Sequence, residues 1–434
     1  MNSKSDFSSY NVVDQIYNSQ WTGKKFVHMQ LFDEILKKLW PKGHPTQFFH
    51  VAGTSGKGSV CIYLEAGLGL SAVTGSYTNP HMFDYRERFS IQGKLVSRKK
   101  IVRVWEKYIL PLHIFHLRRY PQFPLKFSEL SLLIALKLFE LHKVKYASIE
   151  TGVGGRYHCS NVLPVKATAI VTVSEDHEDM LGQTQWQRAL EKGGIMRKAV
   201  PCFSSVREPE AKFVLEKIAV DFGAPLFFTK KSILEKVNHF SNTHKKQTQL
   251  IPKHQQENTA LALQMIQYFF PKLSVEKILA AICTVTLPGR MQQIEKNLYI
   301  DGAHNREKIT RLAEDLKVRF PNEKFVFLLG LSGDRNPQRV FESLLSISHT
   351  IVITDEFHKA VASQMIFEAL RKENNNGFSI EVIHNPKSAF VKAKKLQGNR
   401  RLIVTGSLYL LDALLNPDPY LQHLNIVSNW RENE

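Results

Sequence analysis

Gln47-Phe-Phe-His-Val-Ala-Gly-Thr-Ser-Gly-Lys-Gly-Ser59 is the stretch that decides the fold. An apolar, strand-like run reaches a glycine-rich turn, which ends in a lysine and a hydroxyl. Val60, Leu64 and Leu68 follow at four-residue spacing, one face of a helix. Strand, glycine loop and helix together make the setting that a phosphate cradle needs. Glycines let backbone N–H groups approach phosphate oxygens closely, and the helix N-terminus adds about half a positive charge. Lys57 is placed to reach the outer phosphates, and Ser59 to face a phosphate or Mg²⁺. The stretch departs from the usual P-loop pattern twice. Its leading glycine would fall at Val51, and Gly58 separates the lysine from the hydroxyl. On the residues alone, the competing reading is a glycine-rich turn with a solvated lysine.

A chain of 434 residues is too long for one small core, so two domains are expected. No apolar run approaches the ~20 residues that cross a bilayer; the richest, 130–141, carries Lys137 and Glu140. The first residues lack the apolar stretch of a signal peptide. Cys61, Cys159, Cys202 and Cys283 lie far apart with no CxxC, which reads as reduced, mostly buried residues and a cytoplasmic protein. Net charge is 58 − 40 = +18, which raises nucleic acid as a partner. The lysine pairs are scattered, however, and no nucleic-acid motif accompanies them. A diffuse positive field also draws in anionic small molecules, so neither nucleic acid nor a membrane is expected as partner.

Residues 1–46 read as largely helical, with a turn at 21–24 and an amphipathic helix at 29–40. Val73-Thr-Gly-Ser-Tyr77 reads as a strand ending at Thr78-Asn-Pro-His81, and His81 alone could be an ordinary surface histidine. Residues 98–142 suggest two helices broken by Pro111 and by the Pro121 to Pro124 segment. Val144-Lys-Tyr-Ala-Ser-Ile-Glu150 is a strand that delivers a carboxylate to its tip, beside glycines. Such an acid can hold Mg²⁺ next to phosphate or simply end a strand in water. A strand at 167–173 runs into the polar stretch 175–179. Thr184-Gln-Trp-Gln187 resembles a capping box, whose helix carries Lys192 near its end, ordinarily a solvated charge. Residues 205–250 suggest a helix, a short strand near Leu226 and a basic polar loop; a helix follows from His254 to Phe270. Leu287-Pro-Gly-Arg290 has the composition of a hinge. Apolar runs at 297–301, 325–330, 350–354, 380–384 and 402–405 then alternate with helical patterns, implying a parallel sheet in a second α/β domain.

Nine of these motifs, in this order, resemble the folylpolyglutamate synthase/dihydrofolate synthase family of Mur-type ATP-dependent ligases. They are His50-Val-Ala-Gly-Thr-Ser-Gly-Lys-Gly-Ser59, Tyr77-Thr-Asn-Pro-His81 with Glu87-Arg88, Glu150-Thr-Gly-Val-Gly-Gly-Arg156 with Ser160-Asn-Val162, Asp176-His177 with Leu181-Gly182, Glu191-Lys-Gly-Gly-Ile195, His254-Gln255 with Asn258, Pro288-Gly-Arg290, Asp301-Gly-Ala-His-Asn305 and Val404-Thr-Gly-Ser407. The resemblance runs from about residue 20 to residue 415. It implies an α/β chain with a P-loop NTPase-like Mur-ligase domain at 1–287 and a smaller Rossmann-like domain at 288–434.

The same resemblance implies roles. Gly53, Thr54, Ser55, Gly56, Lys57, Gly58 and Ser59 hold the phosphates of ATP. Ser59, Asn79, Glu150 and His177 bind Mg²⁺, of which two are implied. Lys192 corresponds to a lysine that the family carbamylates, and with Lys57 and His304 it is implied to be catalytic. Asn258, Arg290, Asp301 and His304 are similar to nucleotide-binding residues, and His81, Arg88, Arg156 and Asn161 to substrate contacts. The implied substrates are dihydropteroate or reduced folate and L-glutamate, and the implied state is a monomer. The chain departs from the family pattern in three places. Asn79 replaces Ser, His158-Cys-Ser-Asn161 replaces Asp-Ala-Thr-Asn, and Arg306 replaces Pro after the His-Asn pair. The expectation is an active ligase with an altered pterin pocket. A cell-wall Mur ligase and a nucleic-acid-dependent ATPase are the other classes considered.

Overall fold

The computed structural model describes residues 22–82, 84–175, 178–244, 253–285, 287, 289–372 and 377–415. These group into two compact units. The first takes in the chain up to Pro80, Arg86–Ile251 and Gln255–Val285; the second takes in His81–Tyr85, Pro252–His254 and the chain from Thr286 on.

The first unit is built on an eight-stranded sheet. Its strands are β1 (Gln47–Ala52), β2 (Thr74–Tyr77), β3 (Phe89–Ile91), β4 (Lys94–Leu95), β5 (Tyr146–Glu150), β6 (Val165–Ile170), β7 (Cys202–Ser204) and β8 (Leu226–Phe228), ordered β4-β3-β2-β5-β1-β6-β7-β8. From β2 to β8 across the sheet every pairing is parallel. Crossover helices cover the faces of such a sheet, so its strands read as continuous apolar runs. In β1 every residue after Gln47 is buried. The hairpin β3–β4 extends the edge in antiparallel fashion. It is too short and too polar to stand out in the sequence.

The second unit carries a six-stranded sheet ordered β13-β12-β11-β14-β10-β9. Its strands are β9 (Gln292–Glu295), β10 (Leu298–Ile300), β11 (Phe325–Leu329), β12 (Ser348–Ile353), β13 (Ser379–Val382) and β14 (Leu402–Thr405). The five expected strands are all present. The additional β9 pairs antiparallel with β10. One core packs around Phe325, Phe327, Phe341 and Ile403, and another around Val326, Leu328, Val352 and Val404. Alternate residues of the same strands thus feed opposite faces.

Three local expectations need correction. Thr22, Gly23 and Lys24 belong to a helix, Thr22–Leu39, and not to a turn; Met29, Phe32, Ile35 and Leu36 bury its inner face. Trp21 lies outside the described residues. Pro111 does not break its helix. The segments Arg98–Val104 and Leu110–Arg119 are joined by a π-helical turn, Trp105–Ile109, and Leu110 N–H bonds Trp105 O. Proline has no N–H and its ring crowds the carbonyl four residues back; a wider turn just before it is a known way to keep a helix continuous. The stretch after Lys230 is a helix, Lys231–Thr243, with Ile233, Val237 and Phe240 on its buried face. Its intervening polar residues hid that spacing. Residues 245–252 lie outside the described residues.

Candidate active site

Parallel strands all deliver their carboxyl ends to one edge of a sheet, where α/β folds place ligands. In the first unit, β1, β2 and β5 bring the glycine loop, Asn79 and Glu150 to that edge. Because β5 is the direct neighbour of β1, Val51 pairs with Glu150.

The loop is braced from below. Thr54 N–H donates to Thr172 O and Ser55 N–H to Thr172 Oγ1, both at 2.9 Å. Gly56 caps the helix Lys57–Leu68 in the left-handed region, φ 80°. A Cβ there would stand 2.5 Å from Asn258 Oδ1 and 2.9 Å from Val171 Cγ1. Glycine is therefore required twice, for the dihedral and for the close approach. The same contact places Asn258, from the helix Lys253–Phe269, against the loop. Asn258 Nδ2 donates to Gln255 Oε1 at 3.1 Å, and Tyr63 OH donates to the same oxygen at 3.0 Å.

Lys57 folds over the loop. Its Nζ donates to Gly53 O at 3.0 Å and Thr54 O at 3.4 Å, and stands 3.9 Å from Glu150 Oε1. Glu150 is buried, and its Oε2 accepts from Asn79 N–H at 2.8 Å. Asn79 Nδ2 donates to Glu150 O at 3.3 Å. Gly58, the residue that breaks the usual loop pattern, has its reason here. A Cβ on it would stand 3.1 Å from Glu150 Oε2, so its absence lets the carboxylate lie against the first helical turn. Ser59 is buried in that turn.

An acid, a hydroxyl and backbone carbonyls form an all-oxygen set, which suits a hard divalent cation. Asn79 fits less simply than expected. Its Oδ1 accepts from Arg88 Nη1, a guanidinium that a cation would have to displace. Arg88 itself is buried and lies over the Phe127 ring. His177 lies outside the described residues. Among the described residues, no group of three or more His, Cys, Asp or Glu side chains is gathered as a metal cage.

Lys192 is not solvated, as the residues alone suggested. It is 2% exposed, at the end of the helix Gln185–Gly193. The capping box that opens this helix is present, with Thr184 Oγ1 accepting from Gln187 N–H. Arg156 is buried beside it, and Arg156 N–H donates to Glu191 O at 2.9 Å. Asn161 works as a clamp. Its Nδ2 donates to Arg156 O at 2.8 Å and Gly194 O at 3.0 Å, and its Oδ1 accepts from Arg197. With both ends of the amide engaged, Asn161 orders the Arg156 loop.

In the second unit, Asp301 follows β10. Its Oδ2 accepts from Met291 N–H and its Oδ1 from Ala303 N–H, each at 2.8 Å. Burial raises its pKa, opposed by Arg290 and these two bonds. Arg290 is exposed and passes over Gly302, where a Cβ would stand 2.9 Å from Nη1. His304 Nδ1 donates to Gly302 O at 2.8 Å, leaving Nε2 to face Lys308 Nζ at 3.1 Å. Burial and then the Lys308 charge hold its pKa well below 6.5. Asn305 caps the helix Arg306–Arg319 by accepting from Lys308 N–H. Arg306 takes the first helical position, where proline is favoured but not required. His81 packs edge-on against Tyr85 at 5.7 Å. Sequence reading missed Thr172, Gly58's contact and the His50–Ser160–His158 group, in which Ser160 Oγ lies 2.7 Å from His50 Nε2 and 2.6 Å from His158 Nδ1. None has a local signal, since each depends on a neighbouring strand.

A phosphate-type loop on a parallel sheet, followed by a second α/β unit, is the arrangement expected of a Mur-type ligase. Residues 289–408 match the family model described as "Mur ligase, glutamate ligase domain". The dihydrofolate synthase/folylpolyglutamate synthase of Bacillus subtilis is 28% identical over 401 residues, covering 87% of this chain and 92% of the relative. The folylpolyglutamate synthase of Mycobacterium tuberculosis complexed with ADP superposes with a TM-score of 0.80 at 23% identity, over 94% of this chain and 98% of that one. The bifunctional enzyme of Yersinia pestis complexed with AMPPNP and Mn ion gives 0.73 at 22%, over 92% and 93%. The C-terminal part of the chain thus carries a Mur ligase glutamate ligase domain, and over most of its length the chain is similar to dihydrofolate synthase/folylpolyglutamate synthases.

Proposed function

We infer that this protein is an ATP-dependent, ADP-forming ligase that joins L-glutamate to dihydropteroate, and to tetrahydrofolate, through an acyl phosphate. The observation that carries this is the meeting of Lys57, Gly58 and Glu150 at the carboxyl edge of the sheet. The likeness to glutamate ligases across nearly the whole chain sets it in the folate branch.

A carboxylate is a poor electrophile, and condensing it with an amine in water is uphill. Transfer of the γ-phosphoryl group of ATP to the acceptor carboxylate gives an acyl phosphate and ADP. The α-amine of glutamate then attacks the carbonyl, phosphate leaves, and the amine proton passes to solvent or a base. Catalysis of such a transfer is mostly positioning and charge compensation. Lys57, freed from the loop carbonyls, offsets charge on the moving group. Asn258 holds the loop's shape, and the resemblance assigns Arg290, Asp301 and His304 to nucleotide binding. Bound Mg²⁺ supplies Lewis-acid stabilisation of the phosphates. Glu150 and Ser59 are its proposed ligands, with His177 and, after a turn away from Arg88, Asn79. The resemblance assigns Lys192 as a carbamylated lysine; its burial supports a fixed role over a solvated one. His81, Arg88 and Arg156 are assigned to the acceptor. We place the domain boundary at 287/288 and take the enzyme as a cytoplasmic monomer without a nucleic-acid partner. Among the described residues, no helix is long and apolar enough to cross a membrane.

The test is ADP release with ATP, Mg²⁺ and glutamate, adding dihydropteroate, tetrahydrofolate, a nucleotide-sugar cell-wall precursor, or DNA and RNA in turn. The reading requires stimulation by the first two. Stimulation only by the precursor or by nucleic acid would overturn it.

A further inference from the structure

Residues 171–174 continue the chain past the end of β6 and lie against the phosphate loop. Val171 N–H donates to Ala52 O and Thr54 N–H to Thr172 O, each at 2.9 Å. Two hydroxyls then join the segments from opposite sides. Thr172 Oγ1 accepts from Ser55 N–H at 2.9 Å and donates to Ser55 O at 3.2 Å. Thr54 Oγ1 accepts from Ser174 N–H at 3.1 Å and donates to Ser174 O at 3.3 Å. Each hydroxyl points its one proton at a carbonyl, while a lone pair takes the N–H of the same residue. The approach is close as well as paired. A Cβ on Gly53 would stand 3.1 Å from Thr172 N and 3.1 Å from Val171 Cβ.

This pairing divides the amides of the loop into two sets. Thr54 and Ser55 are buried, and the N–H groups of both are taken up by Thr172, one by its carbonyl and one by its hydroxyl. After Gly56 the chain enters the helix Lys57–Leu68. The N–H groups of Lys57, Gly58 and Ser59 are the first of that helix and have no intrahelical partner. A phosphate oxygen can take protons from this second set without breaking any bond that shapes the loop.

We propose that Thr172 is a positioning residue for the nucleotide: it holds Thr54 and Ser55 as scaffold, so that the phosphates are bound by the amides of the helix start, Lys57 to Ser59. The inference rests on the phosphate-binding reading of the loop, and the identity of the acceptor does not enter it. Ordering a glycine-rich loop on binding costs conformational entropy. Thr172 fixes two of its residues beforehand, so less of that cost falls on the nucleotide. Valine has the shape of threonine without the hydroxyl, and at 172 it would leave the buried Ser55 N–H without its acceptor.

The experiment measures ADP affinity by calorimetry in the presence of Mg²⁺, together with the KM values of ATP and glutamate with dihydropteroate as acceptor, for Thr172→Val and Thr172→Ser. The Val variant is expected to weaken ADP binding and raise the KM of ATP about tenfold, as for one orphaned buried donor, with the KM of glutamate unmoved. The Ser variant keeps the hydroxyl and should stay within about threefold of wild type. Residue-resolved hydrogen exchange of the wild-type protein is the second measurement. The Thr54 and Ser55 amides should be protected without nucleotide and unchanged by ADP, whereas those of Lys57, Gly58 and Ser59 should gain protection when ADP binds. A Val variant with a lower melting temperature and unaltered ADP affinity overturns the inference, because Thr172 would then be structural only. A Ser55 amide that exchanges freely until ADP arrives also overturns it, because that amide would then be a phosphate ligand. Should the Val variant fail to fold, the exchange pattern decides. A wild-type chain that binds neither ADP nor ATP overturns the phosphate reading of the loop, and this inference with it. One that binds ADP with the expected exchange pattern but ligates no glutamate overturns the proposed function and supports this inference.

Discussion

Gly58 lies directly under the carboxylate of Glu150, with 3.1 Å between the Cβ it lacks and Oε2. The helix of the phosphate loop and the tip of β5 are packed as closely as a missing side chain allows. A methyl group there must push the carboxylate or the loop by a few tenths of an ångström. Gly58→Ala should lower kcat/KM for ATP about tenfold or more, because misplacement on this scale is costly at a transfer site. Stability should stay level or rise by up to about 1 kcal/mol, since alanine is the better helix former. Steady-state kinetics beside a thermal melt check both halves.

Lys57 Nζ is held by two carbonyls of its own loop and stands 3.9 Å from the Glu150 carboxylate. Lys57→Ala should cut turnover by about 10²- to 10³-fold, the range for removing one charge-stabilising donor. Its melting temperature should remain within a few degrees of wild type. Wild-type ATP-dependent glutamate ligation by this variant would remove Lys57 from the mechanism.

Glu65, on the inner side of the helix Lys57–Leu68, is a structural centre. Its Oε2 accepts from Ser76 Oγ at 2.6 Å, and its Oε1 accepts from Ser90 Oγ at 2.8 Å and Gly93 N–H at 2.9 Å, tying β2 and the β3–β4 hairpin to the helix. Glu65→Ala leaves these donors without an acceptor. A loss of about 2–4 kcal/mol is expected in urea unfolding, at 1–3 kcal/mol for an orphaned buried group. Burial raises the folded pKa of Glu65 above 4.5, opposed by those same bonds. Between the two values the folded state binds the extra proton, so this group's contribution to stability falls as pH rises through that window.

His158 gives the opposite slope. Its folded pKa, lowered to about 4, lies below its unfolded value of 6.5. Between these values the unfolded chain binds the extra proton, so stability is lost as pH falls from 6.5 toward 4. His50 adds in the same direction. Chemical denaturation across this range should show a shallower slope for His158→Gln than for wild type.

Much of this was legible in the chain itself. Gln47 to Ser59 announces a strand, a tight turn and a helix, because backbone freedom at glycine and apolar spacing are local properties. The strand ending in Glu150, the capping box at Thr184 and the five C-terminal strands are legible for the same reason. Pro111 misled because a helix can widen by one residue to pass a proline, a choice made by packing.

Other features were settled only when the strands were ordered. The sequence 47–59 names Lys57 but not its neighbour 93 positions away; β5 had to insert beside β1 before Glu150 could face Gly58. Lys192 is a surface charge by pattern and a buried group by position. Asn161 carries a recognition motif and yet clamps a loop, and His50 is one apolar-strand residue until Ser160 and His158 meet it. Local sequence sets which backbone shapes and side-chain chemistries are on offer. Which of them touch follows from sheet order, and sheet order is a property of the whole core.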